Sequence, residues 1–298
     1  MNSFLYWLTR AFVSLVQMLP LKLVALIGRF FGFFFYYIDR RHRLVAVNNL
    51  LACLCNSHSE KEIFSIAREN FCRIGEVYLS ALKTASISNQ DIGSFLSAKG
   101  AENLNFAKLA DGSKPSFLFA LGHFGNFELY AKTGVFVPNF ELSTTYRGFR
   151  QPWLERLILS LREQSGVSFF DRRFEGKKLR AFMNRPNTIT GLLVDQHAGR
   201  KGLKLPFFGL PCSVSPSPAL FALRYNLRLH CCFCRRLGLG RWEIEVGPMI
   251  STDIDGIPRP SLDILMDIYR EFESFILEDP ANWFWVHDRW KQPAPADT

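Results

Sequence analysis

Short apolar runs separated by helical stretches dominate the chain from residue 115 onward. The runs cover residues 116–122, 140–147, 168–170, 188–195, 228–236 and 241–246. Such runs are typical of the strands of an α/β sheet. The last two flank the sequence Leu-Gly-Leu-Gly, which predicts an antiparallel pair, and a final helix is predicted over 262–277. We therefore predict an α/β fold with a mixed, largely parallel sheet flanked by helices.

The part of the chain before these runs has a helical pattern. Ser59 and Glu62 have the spacing of a capping box, and apolar residues recur at helical intervals after them. We predict four segments on this basis. They are an apolar membrane anchor over 1–43, a helical region over 44–98, an α/β domain over 99–291 and a disordered tail over 292–298.

Residues 1–38 are almost wholly apolar, but Pro20 divides them and Arg10, Lys22 and Arg29 interrupt them. No uncharged run reaches the roughly 18 residues of a plain spanning helix. No small-residue cleavage site of a signal peptide follows. Besides a Phe-rich helix of a soluble core, two membrane interpretations stay open, namely a spanning helix over 21–38 that carries Arg29, or helices that lie in the membrane interface. In both, the basic stretch at 40–43 stays on the cytoplasmic side.

The charge of the chain narrows its choice of partner only slightly. The 298 residues include 36 Lys and Arg against 27 Asp and Glu, a net charge of +9. This balance suits nucleic acid, anionic lipid headgroups or an acidic protein. The basic residues are dispersed and match no nucleic-acid-binding motif, so we predict no nucleic-acid partner.

The seven cysteines predict neither a disulfide framework nor a zinc site. Their number is odd, and their spacings match no zinc-binding pattern. The sequence His-Cys-Cys-Phe-Cys at 230–234 lies in a predicted strand, where adjacent side chains point to opposite faces. We therefore expect reduced, structural cysteines, as in a reducing cytoplasm, and no bound metal.

Polar residues collect where three of the predicted strands end. His123 follows the first run, Arg147 ends the second, and Asp195 ends the fourth, with Gln196 next to it. In an open α/β sheet, ligands bind beyond the carboxyl ends of the strands. The sequence therefore predicts a functional site at this edge of the sheet.

His123 and Glu128 are candidates for a catalytic pair, with Gly125 and Asn126 between them. On a continuous helix their side chains would be about 140° apart. A strand, a turn and a new helix would bring them together, and Glu128 would orient the imidazole so that its other nitrogen acts as a base. Asn126 would cap the helix, and either the backbone amides near Gly125 and Asn126 or the side chain of Arg147 would stabilise an oxyanion.

Five segments together carry a family resemblance. They are the early stretch 43–50, the His-Phe-Gly-Asn-Phe-Glu-Leu stretch 123–129, the Thr-Tyr-Arg-Gly-Phe stretch 145–149, the stretch 194–223 and the C-terminal stretch 282–291. In combination and order they resemble the late lauroyl or myristoyl acyltransferases of bacterial lipid A synthesis, which belong to the lysophospholipid acyltransferase-like group. The C-terminal stretch differs from the usual family pattern by having Asp288 in place of an arginine, and we expect this side chain to be solvated.

The resemblance implies a glycerolphosphate-acyltransferase-like fold and an O-acyltransferase without a cofactor or a metal. The donor would be an acyl carrier protein thioester, and the acceptor a hydroxyl of a lipid A precursor in an anionic phospholipid membrane. The location would be the cytoplasmic face of the bacterial inner membrane. The implied catalytic residues are His123 and Glu128, and the implied substrate-binding residues are Gly125, Asn126, Arg147, Asp195, Gln196 and Arg200.

Two alternatives remain at this stage. The same chemistry could act on another glycolipid, such as a phosphatidylinositol mannoside, or on an aminolipid. The chain could instead be a non-enzymatic membrane-binding or nucleic-acid-binding protein that uses its positive charge.

Overall fold

The computed structural model describes residues 2–107, 112, 114–149 and 151–291. Eight α-helices occur among these residues: α1 (Asn2–Met18), α2 (Leu21–Ile38), α3 (Arg40–Leu54), α4 (Glu60–Thr84), α5 (Pro152–Arg162), α6 (Gly176–Met183), α7 (Ser217–Tyr225) and α8 (Ser261–Glu278). A 3₁₀ helix covers Phe127–Phe136. The predicted tail at 292–298 lies outside the described residues.

The strands of the described residues belong to one large sheet and two small ones. Their bounds are β1 (Leu96–Lys99), β2 (Phe117–Leu121), β3 (Glu141–Tyr146), β4 (Ser168–Asp171), β5 (Thr188–Leu193), β6 (Leu203–Phe207), β7 (Leu210–Val214), β8 (Arg228–Gly238), β9 (Arg241–Ile250), β10 (Asp253–Ile254) and β11 (Ile257–Pro258). The large sheet has the order β1-β9-β8-β2-β5-β3-β4.

The large sheet confirms the predicted fold class. Only the β8–β9 pair is antiparallel among its described pairs, and every other neighbouring pair is parallel. The central strands β2 and β5 are almost wholly buried, which is why they read as continuous apolar runs. The predicted final helix is α8, and the expected hairpin around Leu-Gly-Leu-Gly is β8–β9.

Two apolar cores cover the two faces of the sheet, and the cysteines of β8 alternate between them. Cys231 packs in one core, while Cys232 and Cys234 pack in the other. The thiols of this strand therefore diverge, as expected. All seven cysteines of the chain are free, and burial raises the pKa of Cys231 well above its usual value.

Helices α2 and α4 pack backbone to backbone. A Cβ atom added at Gly75 of α4 would lie 2.1 Å from the carbonyl oxygen of Gly28, and one added at Gly32 would lie 2.2 Å from the carbonyl oxygen of Phe71. Any larger side chain would force the helices apart. The predicted capping box at Ser59 and Glu62 is present at the start of α4.

A buried ion network ties these helices to the sheet. The carboxylate of Glu76 is fully buried and accepts hydrogen bonds from Arg29 Nη1 (3.4 Å), Arg236 Nε (2.9 Å) and Gly240 N (3.0 Å). Arg29 also donates to Glu69 on α4, with an Nη2–Oε2 distance of 2.7 Å. The only Arg in α2 is thus held by acidic residues of α4.

The opposite faces of α1 and α2 expose large apolar side chains. The most exposed of them are Phe4, Trp7, Leu15, Met18 and Ile38. Within the described residues, Leu21–Ile38 is the one helix long and apolar enough to cross a membrane. By length and composition alone, it suggests association with a membrane.

Candidate active site

A cavity of about 780 Å³ lies beyond the carboxyl ends of β2, β3, β4 and β5. Buried apolar side chains form much of its wall, and they include Leu121, Leu142, Ile189, Leu192 and Val194. Polar side chains also line it, namely His123, Glu128, Arg147, Arg162 and Gln196. The cavity therefore combines room for an apolar chain with groups able to handle protons and charge.

The register of two strands places His123 beside Asp195. β2 and β5 are parallel neighbours, and Leu121 pairs with Leu193. His123 and Asp195 each follow two residues later. Asp195 Oδ1 lies 2.7 Å from His123 Nδ1, and Asp195 Oδ2 accepts a hydrogen bond from His123 N at 2.7 Å. The carboxylate thus holds both the ring and the backbone of the histidine.

Asp195 is 1% exposed and accepts a third hydrogen bond, from Trp283 Nε1 at 2.9 Å. Burial alone would raise the pKa of this carboxyl. Electrostatic attraction from His123 and the three N–H donors outweigh burial, so the pKa of Asp195 lies below its usual value. The carboxylate is therefore ionised at neutral pH and fixes the proton of the imidazole on Nδ1.

The other ring nitrogen of His123 faces a polar group. Gln196 Nε2 lies 3.5 Å from His123 Nε2, at the outer limit of a hydrogen bond. The aromatic rings of Phe127 and Phe284 flank the imidazole, with centroid distances of 4.8 and 5.8 Å. Nε2 of His123 thus carries a lone pair and is the basic atom of the pair.

The expected contact between His123 and Glu128 is wrong, because Asp195 occupies Nδ1 of the imidazole. Glu128 lies in the first turn of the 3₁₀ helix and pairs with Arg162 in the last turn of α5. The two Arg–Glu distances are 2.7 and 3.2 Å. A guanidinium offers a carboxylate two parallel charge-assisted hydrogen bonds, which a single ring nitrogen cannot match. A catalytic role for Glu128 stays a prediction.

The amide of Gly125, which was expected to be one of the donors to an oxyanion, already has a backbone partner. Gly125 N donates to the carbonyl oxygen of Asn282 at 2.9 Å. The glycine has a φ of +46°, and a Cβ atom here would lie 2.5 Å from the carbonyl oxygen of Cys234. A glycine is therefore required here because the turn is tight, and its backbone N–H is not available to a substrate.

Asn126 directly precedes the 3₁₀ helix, as predicted, but its side chain makes no capping hydrogen bond. The residue is fully buried, and its side-chain amide has no partner among the described residues. Of the other predicted residues, Arg147 lines the cavity, whereas Arg200 lies on the exposed turn between β5 and β6, outside the cavity lining. The substrate-binding roles of these residues stay predictions.

Residues of the C-terminal segment contact Asp195 and the residues that follow β5. The sequence did not reveal these contacts. Besides the bond from Trp283 to Asp195, His287 Nε2 accepts a hydrogen bond from His197 N at 3.1 Å. Arg289 is fully buried and donates to the carbonyl oxygen of Ser213 at 2.6 Å. The only feature of the sequence that pointed to these contacts was that Trp283, His287 and Arg289 all lie in the family motif at 282–291. Asp288 of the same motif is exposed, as expected.

Sequence reasoning also missed Arg162, whose pairing with Glu128 depends on the packing of α5 beside the 3₁₀ helix. Its position at the end of an amphipathic helix gave no hint of that partner. Within the described residues, no group of three or more His, Cys, Asp or Glu side chains has the arrangement of a metal site.

A histidine held by a buried carboxylate, at the strand ends of an α/β sheet and beside a large apolar cavity, is typical of enzymes that use the imidazole as a base on lipid-like substrates. The family model described as bacterial lipid A biosynthesis acyltransferase matches residues 1–292. The chain therefore belongs to this family of acyltransferases. A comparison with curated proteins gave no match.

Proposed function

We propose that this protein transfers a lauroyl or myristoyl chain from an acyl carrier protein thioester to a hydroxyl of a lipid A precursor. The observation that carries the proposal is the His123–Asp195 pair, with an Nδ1–Oδ1 distance of 2.7 Å, at the wall of a cavity lined by buried apolar residues. Membership of the lipid A acyltransferase family supports the same substrate class.

In the proposed reaction, His123 Nε2 takes the proton of the acceptor hydroxyl, and the resulting oxygen nucleophile attacks the thioester carbonyl. The tetrahedral intermediate collapses as the carbon–sulfur bond breaks, and the thiolate takes the proton back from His123. Asp195 keeps the ring in the productive tautomer and stabilises the imidazolium while it exists. Gln196, beside Nε2, is positioned to donate a hydrogen bond to an oxygen of the reacting group.

Glu128 and Arg162 have a different part in this proposal. Their ion pair lies on the cavity wall, with side chains 32% and 18% exposed. We assign Arg162 to a contact with substrate oxygen atoms, with Glu128 holding the guanidinium in position. Arg147 lines the same cavity and is a second cation for negative charge on a substrate.

We further infer that α1 and α2 lie in the membrane interface instead of crossing the bilayer. α2 packs against α4 through Gly28 and Gly32, and its Arg29 binds Glu69 and Glu76 of α4. A spanning α2 would have to leave α4 or draw these charged groups into hydrocarbon, which is costly. Lying flat, the two helices bury their exposed apolar faces in lipid and leave α4 in water.

The decisive experiment for the proposed reaction is mass spectrometry of lipids from a bacterial host with and without the protein. We expect one additional acyl chain on lipid A in its presence, and transfer by the purified protein from lauroyl or myristoyl acyl carrier protein. Acylation of another glycolipid or of an aminolipid, with lipid A unchanged, would contradict the proposed acceptor. Absence of any acylated product would contradict the proposed acyl-transfer activity.

The membrane inference has a separate test. Apolar insertion is insensitive to salt, so washing membranes in high salt should leave the protein bound, whereas detergent should release it. A cysteine at Phe34, which is exposed on α2, should be shielded from water-soluble thiol reagents by vesicles, and residues of α4 such as Glu60 should not. Release by salt alone would contradict apolar insertion, and labelling of α2 from the far side of the membrane would contradict the flat orientation.

A further inference from the structure

Three arginines line one part of the cavity without an acidic partner. Arg147, Arg172 and Arg180 are all exposed and all contribute to the cavity wall. None of the three has a carboxylate within 4.0 Å among the described residues, and so none is neutralised by this part of the chain. We call this cluster the arginine rim; its members are Arg147, Arg172 and Arg180.

The topology of the sheet brings the arginine rim together. β3 and β4 are parallel neighbours, and their last residues, Tyr146 and Asp171, pair in register. Arg147 and Arg172 are the next residues of each strand, and Arg172 N donates to the carbonyl oxygen of Tyr146 at 3.0 Å. Neighbouring strands are about 4.8 Å apart, so the two arginines start from adjacent backbone positions. Arg180 comes from α6 (Gly176–Met183), the helix that follows β4 after residues 172–175.

The acidic residues nearby are already engaged with other groups. Asp171 binds Arg173, with a shortest distance of 2.7 Å, and also accepts from Gly148 N. Glu175 binds Lys178 at 2.7 Å, and Glu155 accepts from the hydroxyl of Tyr146 at 3.2 Å. The local carboxylates therefore stabilise the loops around the rim and leave its three positive charges for a ligand.

We propose that the arginine rim is a binding subsite for a phosphate group carried by a substrate of the acyl-transfer reaction. Planar guanidinium groups match the oxygens of phosphate in bidentate fashion, and three of them suit a group that carries up to two negative charges. The buried apolar wall of the same cavity takes the acyl chain, so the rim fixes the charged end of a lipid-like molecule. This inference rests on the proposed function, because it assigns the rim to substrates of that reaction.

Two chemical sources could supply the phosphate. One is a phosphate monoester on the sugar of the acceptor lipid, and the other is the phosphodiester of the pantetheine arm of the donor. Equilibrium binding distinguishes them without relying on turnover. The probes are N-decanoyl-glucosamine 1-phosphate and the methyl phosphodiester of S-decyl phosphopantetheine, each compared with its unphosphorylated counterpart by titration calorimetry on the full-length protein in detergent.

The test variant is the double substitution Arg172→Gln and Arg180→Gln, which leaves Arg147 and the His123–Asp195 pair intact. The matched control is Arg224→Gln with Arg241→Gln, which removes the same charge from two exposed positions outside the cavity lining. We expect the wild type and the control to prefer one phosphorylated probe over its counterpart by about 10-fold or more, and the test variant to lose that preference.

The pair of probes that shows the preference identifies the source of the phosphate. No preference for either phosphorylated probe in the wild type, or an equal preference in the test variant, would overturn the subsite. If the preference depends on the rim but the protein transfers no acyl chain, the subsite stands and the proposed reaction fails. The two failures are therefore distinguishable.

Discussion

Among the described residues, Glu76 and Asp195 are the most completely buried carboxylates, at 0% and 1% exposure, and they have opposite kinds of partners. Glu76 accepts from Arg29, Arg236 and the backbone of Gly240, so two permanent cations compensate its charge. Asp195 accepts from the backbone and ring of His123 and from the indole of Trp283. None of these side chains is a permanent cation.

The partners of each buried carboxylate indicate its role. An ion pair between groups that stay charged at all relevant pH values gives a fixed connection, here between the N-terminal helices and the sheet. A carboxylate paired with an imidazole can stabilise a positive charge that appears and disappears during a reaction. The partners of Glu76 are those of a structural ion pair, whereas the partners of Asp195 are those that the proposed mechanism requires.

The substitution His123→Ala should have the largest effect on acyl transfer. Loss of a general base lowers turnover by at least about 100-fold, while the chain stays folded because the ring is at the edge of the cavity and not in a core. Transfer assays with matched amounts of folded protein, together with thermal unfolding, measure both quantities. Turnover like that of the wild type would show that the imidazole is not the base.

The substitution Asp195→Asn should follow, with a loss of about 100-fold in turnover. An amide of the same shape keeps the packing but no longer holds the imidazole in the productive tautomer or stabilises its positive charge. The matched comparison is Glu128→Gln, which should cost less because its carboxylate binds Arg162 and not His123. If Glu128→Gln is the more damaging substitution, our assignment of the orienting carboxylate is wrong.

The substitution Trp283→Phe should reduce turnover by about 10-fold, since it removes one hydrogen bond to an ionised group and keeps the aromatic packing. It also removes one of the donors that lower the pKa of Asp195, so the pKa of that carboxyl should rise. Because the ionised form is needed, the loss of activity on the acid side should move to higher pH. An unchanged pH profile with reduced stability would assign Trp283 a packing role only.

The same pKa determines how Asp195 contributes to stability. Its value in the folded protein lies below that of an unfolded chain, so its interactions contribute fully at neutral pH. That contribution is lost as the pH falls through the folded pKa. The slope of stability against acid pH should therefore be smaller in Asp195→Asn than in the wild type.

The substitution Glu76→Gln should have the smallest effect on turnover, less than about threefold per folded molecule. It should nevertheless destabilise the protein by about 3 kcal/mol, because it leaves the half-buried guanidinium of Arg236 without its carboxylate partner. Thermal unfolding in detergent measures this loss, and Glu60→Gln, on the exposed start of α4, is a suitable control. Loss of turnover in folded Glu76→Gln would mean that the network also controls the active site.

Local sequence determined most of the secondary structure and the region of the site. The strands β2, β3, β4 and β5 lie within two residues of the predicted runs, and the capping box at Ser59 and Glu62 is present. These features depend on neighbours along the chain, which set backbone preference and the alternation of apolar and polar groups. The rule that ligands bind beyond the strand ends then led us to predict His123, Arg147, Asp195 and Gln196 as site residues.

Tertiary structure decided which of these residues touch. His123 is five residues from Glu128 and 72 residues from Asp195, yet the carboxylate on its ring is that of Asp195. The choice depends on β5 being the parallel neighbour of β2, with Leu193 opposite Leu121, and a strand order of this kind is not encoded by local periodicity. The bonds from Trp283 to Asp195 and from Arg162 to Glu128 likewise join segments far apart in the chain, because packing and charge compensation in the folded state select partners that sequence separation cannot indicate.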